Sequence, residues 1–283
     1  MAMVERSPVL TTVSHAVLIL GVFIFFFPIY IVFVASSVTL VEILRAPMPV
    51  IPGGETIRNY VTAVTTGVKD FGASAGLMLV NSVFMALGIS IGKIVISLFA
   101  AFAIVFFRFP LRQFFFWAIF FTLMLPVEVR ILPTYEVVAS LGLLNSYVGL
   151  IVPIIASATA TFLFRQYFMT VPRELPDSAK VDGATPMQFF WHILVPISRT
   201  TIAALFVILF IFGWNQYLWP LLVTTQERYY TLLIGINRML AVGDQQAEWH
   251  VIMASTILAM LPPVLVVLSM QQLFIKGMTE QEK

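Results

Sequence analysis

The chain has 283 residues, 60% of them AVILMFWYC and only 11% Asp, Glu, Lys or Arg. Soluble domains carry about 25% charged residues, so the solvent expected for much of this surface is lipid. A net charge of +2 excludes a strongly basic nucleic-acid binder, the absence of Cys excludes disulfide and metal–thiolate chemistry, and three scattered His offer no metal site.

A bilayer core about 30 Å thick needs roughly 20 apolar residues per helix. Six segments reach that length: Val13–Ser37, Gly76–Phe107, Gln113–Pro133, Tyr147–Phe168, Thr200–Val223 and Trp249–Phe274. The expected fold is therefore all-α, a single transmembrane domain over residues 1–283 with six membrane helices. Val13–Ser37 is longer than the apolar core of a secretory signal, and no small-x-small cleavage site follows it, so it is read as a membrane helix. The second segment is long enough to require tilt or an extension beyond the hydrocarbon.

Six spans put both termini on one side. That side receives Arg6, Arg108, Arg112, Arg165, Arg173, Lys180, Arg199, Lys276 and Lys283; the other receives Arg45, Arg58, Lys69, Arg130, Arg228 and Arg238. The short turn Arg108-Phe-Pro-Leu-Arg112 weighs most in the positive-inside rule, and it predicts cytoplasmic termini. Residues 38–75 and 224–248 then form the periplasmic loops. The first of them is rich in Pro and Gly, as turns require.

The long inner loop, 169–199, is densely punctuated. Pro172 suits a first helical turn, and Glu174 and Asp177 suit its N-terminal end. Gly183 can take the left-handed conformation that ends a helix. Thr185, Pro186 and Gln188 spell a capping box that opens a second helix. Pro196 interrupts it before the next span. Phe189, Phe190 and Trp191 predict an aromatic loop surface. On the residues alone this is either an amphipathic hairpin on the bilayer or a docking knob for a soluble partner.

Polar side chains inside spans are costly and mark candidate pathways. Ser82, Ala86, Ser90, Lys93 and Ser97 follow helical spacing and share one face. Lys93 either meets an anion or pairs and snorkels. Glu128 and Arg130 near the outer end of the third span either face an anionic solute or form structural pairs. Trp214, Asn215, Gln216 and Tyr217 in the fifth span offer stacking faces and amide donors for a hydroxylated solute, or form an interfacial belt. The nearest approach to a phosphate loop, Gly88 to Ile94, has the wrong glycine spacing and no hydroxyl at its end. No catalytic residues are expected, and an enzyme is not.

The loop carries a resemblance. Asp177-Ser178-Ala179, three residues, Gly183, nine residues and Ile193-Leu194-Val195-Pro196 resemble the EAA motif of ATP-binding-cassette importer permeases, with Asp177, Ser178 and Val195 as mild departures. Asn59-Tyr60, Leu141-Gly-Leu-Leu-Asn-Ser146 and Gly213-Trp-Asn-Gln-Tyr217 are similar to the carbohydrate-importer branch. Phe109–Arg112, Thr122–Arg130, Ser157–Gln166 and Trp214–Leu222 resemble the second permease subunits of glycerol-3-phosphate importers. The resemblance implies an inner-membrane permease that moves glycerol-3-phosphate or related glycerophosphodiesters. It implies a homologous second permease, two cytoplasmic ATPase subunits that hold ATP and magnesium, and a periplasmic substrate-binding protein. It also assigns ATPase coupling to Glu174, Asp177, Ser178, Ala179, Asp182, Gly183, Ala184, Ile193 and Pro196. A sugar permease of the same branch and an ion-coupled secondary transporter are the alternatives; the latter lacks the expected inverted repeats or carboxylate relay.

Overall fold

The computed structural model describes residues 8–69, 71–122, 125–240 and 247–279, and the side chains of all of these except 8, 127, 128 and 272–279. Every regular element among them is helical. Helix α1, Pro8–Ser37, is apolar all round. Only 6% of its most apolar window is buried, and Phe25 is 80% exposed. A 30-residue helix with such a surface is soluble only in hydrocarbon.

Helix α2, Leu40–Leu44, opens with a reciprocal capping box between Thr39 and Glu42. The Thr39 N–H and hydroxyl both donate to the Glu42 carboxylate, at 2.8 Å each. These bonds, the backbone one foremost, hold that carboxyl below the usual carboxylate range. Helix α3, Thr56–Thr65, follows. Its buried Asn59 donates to the carbonyls of Ser36 and Val38 at 3.0 and 2.9 Å, which pins the end of α1. The segment 38–69 thus carries two short helices between its Pro- and Gly-bearing turns.

Helix α4, Ala75–Phe106, runs 32 residues and matches the second predicted span. The third predicted span is interrupted. Helix α5, Arg112–Phe121, stops after 10 residues, and α6, Val127–Ser140, starts from Pro126 in an extended conformation (φ −54°, ψ 144°). A proline has no N–H to donate to the preceding turn and disfavours α geometry in the residue before it. The fourth span is also bent. Helix α7, Tyr147–Ile151, passes through a 3₁₀ turn at Val152–Ile154 and meets α8, Ala158–Thr170, at 49°.

Helices α9, Glu174–Val181, and α10, Pro186–Phe189, form the punctuated loop. A π-turn over Phe190–Leu194 leads to α11, Val195–Ile197, and then to α12, Arg199–Trp214. The stretch Pro186–Ile197 meets α12 at 73°. A break at residues 215–217 separates α12 from α13, Leu218–Val223. Helix α14, Leu232–Met239, lies in the segment 224–248, and α15, Trp249–Thr279, is the last.

Among the described residues three helices are long and apolar enough to cross a membrane, or up to five if each bent pair counts as one span. The predicted third span is not among them. The chain divides into two compact units, Met1–Leu77 with Gly235–Met260 and Met78–Ile234 with Leu261–Lys283. The second unit contains the loop and the polar span residues.

Candidate functional site

The loop's corner forms as its punctuation predicts, but Pro172 lies just before α9 and not in its first turn, and Pro196 lies within α11, the bend falling at Ser198. Helix α9 begins at Glu174, with Glu174 and Asp177 in its first turn. It ends in a Schellman motif: the Gly183 N–H donates to the Lys180 carbonyl at 3.1 Å and the Ala184 N–H to the Ala179 carbonyl at 2.9 Å. Gly183 sits at φ +76°, and a Cβ there would meet nothing within 4 Å. The Thr185 N–H donates to the Gln188 side-chain oxygen at 2.7 Å, and the Gln188 N–H returns to the Thr185 hydroxyl at 3.2 Å. The corner between α9 and α10 is therefore set by a turn conformation and two satisfied helix ends.

The motif residues divide between two faces. Glu174, Asp177, Ser178, Asp182, Gly183 and Pro196 are exposed. Ala179 is buried, and Ala184 and Ile193 are half-buried against the core that α4, α8 and α12 supply. Asp177 accepts an exposed ion pair from Lys180 at 3.3 Å, a contact worth little in water. One face holds the loop to the membrane helices and the other is open to a partner.

The aromatic surface expected of this loop is corrected. Phe189 and Phe190 are buried at 5% and 1% exposure; only Trp191, at 52%, is open. The Phe190 ring stacks on Phe99 and tilts against Phe102, 4.8 and 4.9 Å between centroids, and Phe189 meets Phe106 at 5.4 Å. The π-turn explains the difference. Its wider register rotates Phe190 onto α4, and Pro196, lacking an N–H, favours the opened ladder there. The Tyr167 hydroxyl donates to the Ile197 carbonyl at 2.7 Å and ties the end of α11 to α8.

The polar face predicted on α4 is real and buried. Two of its hydroxyls serve structure. Ser82 accepts the Leu232 N–H at 2.8 Å, and Ser97 donates to the Ser157 carbonyl at 3.3 Å while accepting from Thr161 at 3.2 Å. Lys93 is different. It is 7% exposed, and its ammonium lies 4.1 Å from the centre of the Phe212 ring. Among the described residues it has no hydrogen bond and no carboxylate partner. Arg130 is exposed on α6. The side chain of Glu128 lies outside the described residues.

The four residues chosen at the end of α12 do not converge. Trp214 is 5% exposed and stacks on Phe210 within the protein. The Gln216 amide donates to its own helix at the Phe212 carbonyl, 3.1 Å away. Asn215 and Tyr217 remain open at the break before α13. Trp and Gln have the right chemistry for a polyol, but the turn of the helix directs them elsewhere.

Sequence reasoning gave no role to Asn81 and only a resemblance to Asn145. Asn81 donates to the carbonyls of Arg228 and Tyr230, both at 2.9 Å, and accepts from the Tyr147 hydroxyl at 2.7 Å. Asn145, at φ +52°, accepts the N–H groups of Thr225 and Gln226 at 2.7 and 2.9 Å. An Asn beside a Gly-rich turn was the available signal, since Asn tolerates the left-handed region.

Residues 93–280 match the family described as binding-protein-dependent transport system inner membrane component, and the chain belongs to that family. The protein is a multi-pass, all-α inner-membrane permease of an ATP-binding-cassette importer. It is 54% identical over 282 residues to the sn-glycerol-3-phosphate transport system permease protein UgpE of Rhizobium meliloti, covering 99% of this chain and 100% of that one. The UgpE proteins of Brucella melitensis and Escherichia coli are 54% and 52% identical, with the same coverage. A bacterial ABC transporter involved in the import of the acidic polysaccharide alginate shares the fold, with a TM-score of 0.81 at 18% identity over 96% of this chain and 99% of that one.

Proposed function

We propose that this permease carries sn-glycerol-3-phosphate or related glycerophosphodiesters. It does so as half of a pathway shared with a homologous second permease, two cytoplasmic ATPase subunits and a periplasmic binding protein. Identity of 52–54% over the full length of three permeases named for that substrate is the observation that carries this reading. ATP and magnesium belong to the ATPase subunits, since this sequence has no phosphate loop. The six spans are α1, α4, α5 with α6, α7 with α8, α12 with α13, and α15, with both termini cytoplasmic; the distribution of Arg and Lys supports that orientation.

The exposed face of the loop, Glu174, Asp177, Ser178, Asp182 and Gly183, docks the ATPase. Lys93 and Arg130 attract the substrate phosphate along the pathway, beside Glu128 and the open Asn215 and Tyr217. A buried cation with no carboxylate partner among the described residues suits an anionic solute, and non-helical backbone within a span, as at 215–217, is tolerated where it lines a cavity. Reconstitution with all partners tests the reading. ATP-dependent uptake with a glycerol-3-phosphate-loaded binding protein supports it. Stimulation by a sugar-loaded binding protein alone would move the chain to the sugar-importing branch.

A further inference from the structure

The second unit contains a groove of about 750 Å³ between the end of α4, the start of α5, the end of α8 and the loop helices. Arg108, Arg112, Arg165, Arg173 and Lys180 line it, with Asp177 as their only acid, and Asp177 already pairs with Lys180. Among the described residues the four arginines form no ion pair. Arg165 is the deepest. Its guanidinium lies 4.0 Å from the centre of the Phe116 ring, its Nε is buried without a hydrogen-bond partner among the described residues, and Arg112, one turn before Phe116 on α5, lines the same groove. Like charges held together in a concave, partly apolar site destabilise one another unless an anion joins them.

The floor of the groove is apolar, with Phe102, Phe106, Phe168 and Met169 among its walls. Just after Arg112, Phe114 and Phe115 are 62% and 50% exposed, so a lipid-facing surface reaches the rim. An acidic protein segment would match the guanidiniums but make no use of this lipid-facing rim. A phospholipid fills both halves, phosphodiester to the guanidiniums and acyl chain along the rings, as basic pockets between membrane helices do. We infer that this groove binds the headgroup phosphate of an anionic phospholipid, phosphatidylglycerol being the simplest. The inference uses the proposed orientation only to name the leaflet, the cytoplasmic one.

The test is made on the assembled importer in nanodiscs of phosphatidylcholine and phosphatidylglycerol, by measuring the lipid retained after detergent extraction. The wild type should enrich phosphatidylglycerol over phosphatidylcholine. Arg112→Gln with Arg165→Gln should reduce retention by about fivefold for each charge removed, and Arg112→Lys with Arg165→Lys should keep most of it. Arg108→Gln with Arg173→Gln, both at the exposed rim, should weaken retention without burdening the fold. Equal retention of the two lipids by the wild type overturns the inference. So does displacement of the lipid by inorganic phosphate at constant ionic strength, which would define a small-anion site. Release of the ATPase from the Gln variants with lipid retention unchanged would assign the groove to a protein partner instead. Because lipid is the readout, loss of glycerol-3-phosphate uptake with retention intact counts against the proposed substrate and not against this site.

Discussion

The Phe190 ring lies 4.8 Å from the Phe99 ring, centroid to centroid, with their planes 19° from parallel. Phe190 belongs to the loop and Phe99 to the middle of the second half of α4, 91 positions earlier. An interdigitated stack inside a close-packed core resists relative movement, because any displacement opens a void. The loop is therefore joined to a membrane helix by side chains as well as by its own backbone.

Phe190→Ala should loosen that joint. Truncating a fully buried Phe typically costs about 3–5 kcal/mol, and here the void opens between the loop and α4. The ATPase should still bind, since the exposed face of α9 is untouched. More ATP should be hydrolysed per solute imported, as read from paired ATPase and uptake assays in proteoliposomes. An unchanged ratio would show that the ring is packing alone.

Substitutions at Gly183 should rank by backbone preference and not by size. Open space surrounds the position of a Cβ, so only φ +76° carries a penalty, roughly 1–2 kcal/mol for ordinary residues and less for Asn. Gly183→Asn should retain most ATPase co-purification and uptake, Gly183→Ala less, and Gly183→Val least. Equal activity of the Asn and Val variants at equal insertion would remove the corner from the coupling mechanism.

Arg130→Gln and Lys93→Met should each lower import of a phosphorylated solute, by roughly tenfold or more if a charged hydrogen bond to phosphate is lost. Assembly with the partners should be unaffected by the exposed Arg130 change. Initial uptake rates at matched expression measure this. Wild-type kinetics in both variants would leave the two cations without a transport role.

Gly92→Ala should destabilise the permease more than Gly88→Ala. A Cβ at residue 92 would lie 2.6 Å from Cγ2 and 3.0 Å from Cβ of Ile155, atoms near the root of that side chain. At residue 88 the closest atom, at 2.7 Å, is the Ile151 Cδ1, the end of a flexible chain. The expected loss at 92 is about 1–3 kcal/mol, seen as a lower midpoint in a thermal-shift assay in detergent. Reversal of that order would be falsifying.

Local chemistry made the loop readable before its coordinates. Gly, Thr-Pro and the Gln three residues after Thr each dictate a backbone state at their own position, and α9, the Schellman end and the capping box follow them. The small and polar stripe on α4 was equally legible, because helical spacing alone fixes which residues share a face. Direction in tertiary space was not. Phe189, Phe190 and Trp214 are buried because α10, the π-turn and α12 each face them toward neighbouring helices, and no local pattern specifies that rotation. The break at Pro126 was overlooked for a related reason: hydropathy averages over a window, whereas one missing N–H acts at a single point. The role of Asn81 rests on partners 147 and 149 residues distant in sequence, beyond any local signal.

The 73° elbow at Ser198 separates the order of the chain from the order of mechanical contact. By sequence, the loop hands directly to α12. By touch, it meets α4 first, through Phe189 and Phe190, and α8 next, through the Tyr167 hydroxyl. The core that Phe189 and Phe190 enter also holds Leu205 and Leu209 of α12, so packed side chains join the loop to α4, α8 and α12 together, while the backbone route to α12 must turn a corner. Neighbours in this core are set by packing across some ninety residues of sequence as much as by the next peptide bond.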